Sequence, residues 1–390
     1  MKIVIAIDSM KGSLSSMDGG MAVKEGILRA MPDAQVTVMP LADGGEGTTE
    51  ALTRGLGGRQ ISVTVAGPDG APVTASYGYL EKSRTAIMEM AAAAGITLVP
   101  GIQPGQIRQN AESANSAEYS VMRATTRGVG EMILDALNRG CKTFLIGIGG
   151  SATNDGGVGI LKALGFRFTD DHGQDVGEGA QALGKICRIE CCSADPRLSG
   201  CRFRIACDVE NPLCGPKGAT YIFGPQKGVA EDQKEPIDRD MSHFADVTAM
   251  TLNKDCRDAA GAGAAGGLGF AFLSYLKGEL TPGIDLVLDA VGLEKKLADA
   301  DIVVTGEGRL DAQTAMGKAP VGVARLAKRY GTKVIAFAGS VTSGARACNK
   351  AGIDAYFPIL RSICTLEDAM NPEQARQNLA DTAEQVFRLL

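Results

Sequence analysis

Acidic side chains recur in this chain beside glycines and hydroxyls, just after short apolar runs. Asp8-Ser9-Met10-Lys11-Gly12-Ser13 follows an apolar stretch over 2–7, and Asp43-Gly44-Gly45-Glu46-Gly47 follows another over 35–39. Farther on, 145–148 runs into Gly149-Gly150-Ser151-Ala152-Thr153-Asn154-Asp155-Gly156-Gly157, and 302–305 into Gly306-Glu307-Gly308-Arg309-Leu310-Asp311. Carboxylates are hard oxygen ligands for a divalent cation. Glycine-rich turns let backbone N–H groups and a helix dipole close on an anion. Lysine and arginine neutralise charge that develops in a transition state. One such segment is explained by an ordinary βα turn with a helix cap; four in succession are not. Phosphoryl transfer uses this set and asks little covalent chemistry of the protein. The two histidines, His172 and His243, lie in none of these segments, which disfavours histidine acid–base or triad chemistry.

The familiar nucleotide signatures fail on inspection. Gly261-Ala262-Gly263-Ala264-Ala265-Gly266 has G-x-G-x-x-G spacing, but polar residues 253–258 precede it where a strand is required. Gly179 to Ile186 approaches a P-loop, yet Ile186 stands where a magnesium-binding Ser or Thr belongs. Protein-kinase H-R-D and D-F-G are absent, so a kinase here follows neither of the two commonest designs.

The elements that must position these segments show a βα rhythm. Strand-sized apolar runs at 2–7 and 35–39 alternate with helical patterns at 16–31 and 47–56. The last third repeats this with strands at 302–305, 333–338 and 355–360 and helices at 320–330 and 372–389. Between about 67 and 283 the texture changes to β-rich segments at 73–79 and 85–90, a polar stretch at 103–120, and a strand-loop-helix unit at 143–164. The expected fold is α/β: residues 1–66 and 284–390 form a Rossmann-like parallel-sheet domain, and residues 67–283 an inserted mixed α/β domain. Open parallel sheets bind ligands at the carboxyl ends of their strands, and the active site is expected in the cleft between the two domains.

Composition narrows the setting. A 390-residue chain has room for two or three domains, and its 51 glycines, roughly twice average usage, follow no fixed period. A net charge of -5 argues against a nucleic-acid partner, and no apolar run approaches the ~20 residues needed to span a bilayer. The ten cysteines contain no C-x-x-C pair, and the N-terminal run, interrupted by Asp8, reads as a strand rather than an export signal. The expectation is a cytoplasmic enzyme with reduced thiols and small-molecule partners, with homo-oligomerisation left open.

Taken together, the segments closely resemble the bacterial glycerate kinases that make 2-phosphoglycerate. The resemblance rests on Asp8-Ser9 with Lys11-Gly12-Ser13-Leu14-Ser15, Ala42-Asp43-Gly44-Gly45-Glu46-Gly47-Thr48, Glu89-Met90-Ala91 and Thr126-Arg127-Gly128 with Gly130-Glu131. It continues through Ile146 to Gly157, Ala206-Cys207-Asp208-Val209, Asn211-Pro212-Leu213, Ile222 to Gly228, Gly261 to Gly267, Gly306-Glu307-Gly308-Arg309 and Gly317-Lys318. Ile7 and Met10 stand where the family usually has proline and an aromatic. The resemblance implies ATP-dependent phosphorylation of D-glycerate to 2-phosphoglycerate. The alternatives are a kinase of another small hydroxy acid, a glycerate 3-kinase, or a non-catalytic ligand-binding protein.

On this reading Asp43, Glu46, Asp208 and Glu307 supply ligands for Mg2+. ATP meets Gly149, Gly150, Ser151, Thr153, Asn154, Gly156 and Gly157, with Gly306 and Lys318. Lys11, Arg127 or Arg309 holds the glycerate carboxylate or the transferring phosphoryl group, beside Ser9, Gly44 and Gly45. Asp8 or Asp155 accepts the hydroxyl proton.

Overall fold

The computed structural model describes residues 1–45, 47–99 and 119–390; Glu46 and most of the polar stretch at 103–120 lie outside the described residues. The chain divides into two compact units, Met1–Gly57 with Gly283–Leu390, and Gly58–Pro282. The first border therefore falls before 59 rather than at the expected 66. The strand Arg59–Ala66 pairs antiparallel with Pro72–Leu80, and that ladder draws it into the inserted unit.

The unit made of both chain ends is built on a five-stranded parallel sheet. Its order is Ala355–Pro358, Lys333–Val341, Ile302–Leu310, Lys2–Ile7, Gln35–Pro40. Ile3, Ile5 and Ile7 lie beside Ile302, Val304 and Gly306, so the first strand and a strand some 300 residues away share one ladder. The chain progresses outward in opposite directions from this central pair. That is a topological switch point, where parallel sheets leave a crevice at the carboxyl ends.

Both faces of the central strands are buried, as near-continuous apolar runs require. One face packs Ile3, Ile5, Ile7, Val304 and Phe337 against Leu379, Ala383 and Phe387 of the last helix, Pro372–Phe387. The helix Ser16–Ala30 lies against that helix so closely that a Cβ on Gly26 would stand 2.0 Å from the Ala380 carbonyl oxygen.

Ile302–Leu310 runs five residues past its expected end. Glu307 pairs with Ala338, Arg309 with Ser340 and Leu310 with Val341, because Lys333–Val341 is equally long and keeps offering ladder partners. The Gly306-Glu307-Gly308-Arg309 segment is thus strand, not loop. Residues two apart on a strand share a face, so Glu307 and Arg309 project to the same side.

The inserted unit contains a six-stranded mixed sheet. Its order is Glu279–Thr281, Arg202–Ala206, Thr143–Gly147, Thr85–Glu89, Pro72–Leu80, Arg59–Ala66, the first four parallel and the last two joined antiparallel. A two-stranded ribbon, Arg167–Thr169 with Arg188–Glu190, stands apart from it. Its core is aromatic: Phe144 stacks on Phe203 with ring centroids 4.8 Å apart, and Phe244 meets Phe270 edge to face. All ten cysteines are free thiols. Among the described residues no helix is long and apolar enough to cross a membrane.

Candidate active site

Three carboxylates meet at the carboxyl edge of the parallel sheet. Asp8 ends the first strand, Asp43 follows the second, and Glu307 comes from the neighbouring strand at the switch point. Asp8 is only 6% exposed, and the Ser9 N–H donates to its Oδ1 at 2.7 Å. Burial pushes its pKa up to about 7, with the charge of Asp43 adding to the shift and Glu307 contributing less. The Ser9 amide and Lys11 work in the opposite direction. Such a carboxyl group changes protonation near neutrality, as a general base requires.

The neighbours of these acids are fixed by local hydrogen bonds. The Gly45 N–H donates to Asp43 Oδ1 at 2.9 Å, while Lys11 Nζ lies 3.4 Å from Asp43 Oδ2. Asp43, foremost, holds the Lys11 ammonium above its usual pKa. The Thr314 hydroxyl donates to Glu307 Oε1 at 2.5 Å; burial raises the Glu307 pKa and this bond restrains the rise. Thr314 was not among the expected site residues, although it sits seven positions after Glu307. Asp311 accepts from the N–H groups of Gln313 and Thr314, closing the turn that delivers it.

A cavity of about 380 Å³ opens over this cluster. Asp8, Ser9, Lys11, Asp43, Glu307, Arg309 and Lys318 all line it, so seven of the expected residues come together in one unit. Arg309 is exposed, with its Nε 3.6 Å from Asp311, and Lys318 donates loosely to Gln313 at 3.4 Å. Neither cation is locked into a tight pair. Gly44 and Gly306 serve backbone proximity instead: a Cβ on Gly44, where φ is +91°, would stand 2.4 Å from Gly283 Cα, and one on Gly306 would stand 2.1 Å from the Phe337 carbonyl oxygen.

Among the described residues no three or more His, Cys, Asp or Glu side chains converge tightly enough to form a closed metal cage. Magnesium rarely needs one, since it is usually held by one or two carboxylates together with substrate phosphates and water. Asp43 and Glu307 fit that pattern: they are oxygen donors whose charges add to the burial that raises the pKa of neighbouring Asp8, and a cation held by them would offset those charges.

The Gly149–Gly157 segment of the inserted unit is arranged differently from the expected open anion cradle. Asp155 is 0% exposed. It accepts from Thr126 N–H (2.9 Å), Thr126 Oγ1 (2.8 Å), Gly157 N–H (3.1 Å) and Gly159 N–H (3.2 Å). The anion seated among these backbone donors is the chain's own carboxylate. Thr153, Asn154, Gly156 and Gly157 are enclosed as well, and only Gly149, Gly150 and Ser151 reach the surface. A second group missed in the sequence, Lys227, is 1% exposed and donates from Nζ to the Thr153 carbonyl at 2.6 Å. Burial drives its pKa down to about 7, against the pull of Asp155.

The Gly261–Gly267 segment packs on the same loop. Gly266 accepts from the Gly156 N–H at 2.9 Å, and a Cβ on Gly266 would stand 2.1 Å from the Thr153 oxygen. Its glycines thus serve close backbone packing. Arg127 is held by Glu131 (3.0 Å) and Glu178 (2.6 Å), and Asp208 lies exposed after the strand Arg202–Ala206.

Residues 3–390 match the model of the glycerate kinase family. The chain is 46% identical over 386 residues to a glycerate kinase of Bacillus subtilis strain 168, covering 99% of this chain and 97% of that one. It is 44% identical to the glycerate 2-kinase of Escherichia coli K12, covering 98% of each. The crystal structure of a protein assigned as glycerate kinase 2 of Salmonella typhimurium LT2 superposes with a TM-score of 0.87 at 44% identity, covering 99% of this chain and 97% of that one.

Proposed function

We propose, from the premise that this chain belongs to the glycerate kinase family and is a kinase, that it transfers the γ-phosphoryl group of ATP to the 2-hydroxyl of D-glycerate. The products are 2-phosphoglycerate and ADP. The observation that carries this reading is the buried Asp8, poised near neutrality at the sheet's switch point, in a cavity that also holds Lys11, Arg309 and Lys318. The position of the phosphorylated carbon follows the relative named a glycerate 2-kinase.

Asp8 takes the proton of the 2-hydroxyl as that oxygen bonds to the γ-phosphorus. The bond from phosphorus to the bridging oxygen breaks, and ADP leaves with the electron pair. Lys11 and Arg309 neutralise charge on the transferring group or hold the glycerate carboxylate, a guanidinium being able to do either bidentately. Asp43 and Glu307, with Glu46 as a further candidate, would hold Mg2+. Held there, Mg2+ would supply positive charge that offsets the charge of the phosphates. Within the inserted unit, Gly149, Gly150 and Ser151 are the part of their loop with surface to offer a phosphate, while Asp155 and Lys227 hold that loop in shape from behind. The low-exposure setting of Asp8 keeps its carboxyl from simple solvation. A reduced, cytoplasmic setting suits such an enzyme.

A coupled ADP-release assay across D-glycerate, lactate and tartronate tests the substrate. Turnover should be strongest with D-glycerate; a clear preference for lactate or tartronate would redirect the assignment to another hydroxy acid.

A further inference from the structure

Two cavities adjoin at the carboxyl edge of the parallel sheet, and they share a wall. The larger, about 380 Å³, is the one over Glu307 and Arg309. The smaller, about 170 Å³, opens toward the helix Thr48–Gly55 and reaches Arg54. Asp8, Ser9, Lys11 and Asp43 line both. Resting on the phosphoryl-transfer reading above, we infer that the two cavities divide the substrates: the hydroxy acid enters the smaller and the nucleotide the larger, with Asp8 between them.

Size separates the two ligands first. Ligand pockets for nucleotide-sized molecules run from roughly 300 Å³ upward, which the larger cavity satisfies and the smaller does not. A three-carbon acid displaces the space of roughly four waters at ~30 Å³ each, which the smaller cavity can hold.

Lining chemistry separates them again. The larger cavity is lined by the apolar Ile359, Leu360, Leu366, Ala369 and Met370 together with the cationic Lys11, Arg309 and Lys318. A nucleotide offers a partner to each kind of lining, a flat base and a polyanion. On this wall the Ser13 hydroxyl is buried and has no hydrogen-bond partner among the described residues, so a polar ligand edge would satisfy it. The smaller cavity is lined by fewer apolar side chains, Met17, Leu41, Ala42 and Ala51. It does present Arg54, whose contact with Glu50 is 3.8 Å, too long for the charge-assisted hydrogen bond a carboxylate ligand would make. Arg54 is therefore assigned as the residue that binds the acid's carboxylate, and the apolar side chains of the larger cavity as the seat of the base.

Placing the acceptor and donor on opposite sides of Asp8 explains why a buried carboxyl sits there. The hydroxyl proton and the γ-phosphoryl group then meet at the shared wall, within reach of Lys11.

Arg54→Met and Leu366→Asp test the division, and both positions are exposed enough that neither change disturbs the core. Titration calorimetry measures D-glycerate alone and Mg-ADP alone on the full chain and on each variant, alongside turnover with ATP. The expected result is a tenfold or greater loss of D-glycerate affinity in Arg54→Met with Mg-ADP held within twofold, and the reverse pattern in Leu366→Asp. Loss of Mg-ADP affinity in Arg54→Met, unchanged affinities in both variants, or a wild-type protein that binds neither ligand would each overturn the division. Wild-type turnover of D-glycerate with no such split would remove the division alone. The predicted split without any turnover would keep the division and remove the function it rests on.

Discussion

Replacing Asp8 with asparagine should make the enzyme slower and more stable at once. The folded chain holds Asp8 at about 7 against an ordinary 3.8, a rise of roughly three units at ~1.4 kcal/mol each. Between those two values the folded state binds more protons than the unfolded one, so wild-type stability falls as pH rises, and the full penalty is present above about 7. That penalty is on the order of 4 kcal/mol. Asparagine keeps the shape and removes the charge. Urea denaturation in the presence of a chelator should therefore show Asp8→Asn close to wild type near pH 4 and stabilised by a few kcal/mol near pH 8. Turnover should fall by roughly 100-fold to 10,000-fold, the usual span for a lost general base. In the wild type, kcat/KM should rise with pH through the Asp8 titration, and the variant should lose that limb. A variant that keeps turnover within threefold, or that shows the same stability difference at both pH values, would refute this assignment of Asp8.

The remaining expectations concern the inserted unit and the cation. Gly266→Ala should destabilise by more than about 2 kcal/mol, because its Cβ would collide with the Thr153 oxygen at a φ of +68°, whereas Gly149→Ala, facing open space, should shift stability by less than about 0.5 kcal/mol; thermal melts of the pair decide it. Asp155→Ala should cost several kcal/mol and Asp155→Asn less, since the alanine strands four donors that the buried carboxylate satisfies; loss of activity should follow loss of folded protein in the melts. Chelation of divalent cations should abolish turnover, with Mg2+ restoring it; full activity in excess chelator would remove the carboxylates from a metal role.

Much of the fold was legible because it rests on period. The runs at 3–7 and 334–338 are apolar and buried throughout, as strands covered on both faces must be, while 35–40, at the sheet edge, keeps Gln35 and Thr37 exposed. Site membership was legible for the same reason: strand ends fix where Asp8 and Asp43 go. What the sequence hid is pairing. Glycines at 306 and 308 read as a loop, yet an equally long neighbour strand keeps them in the ladder. Arg59–Ala66 looked like part of the first domain until its antiparallel partner was known. The Gly149–Gly157 segment showed its donors, but only the fold reveals that Asp155 turns inward to occupy them. Lys227 gives no sequence cue of its own burial, a lysine being the last residue expected at 1% exposure. Thr314 becomes visible as a partner only once the turn through Asp311 folds it back toward Glu307.

The most direct measurement is NMR identification of what the wild-type chain makes from D-glycerate and Mg-ATP. Phosphorus coupled to the proton on carbon 2, with an equal amount of ADP, is the predicted outcome. A phosphoryl group on carbon 3, or ATP loss without phosphoglycerate, would contradict it.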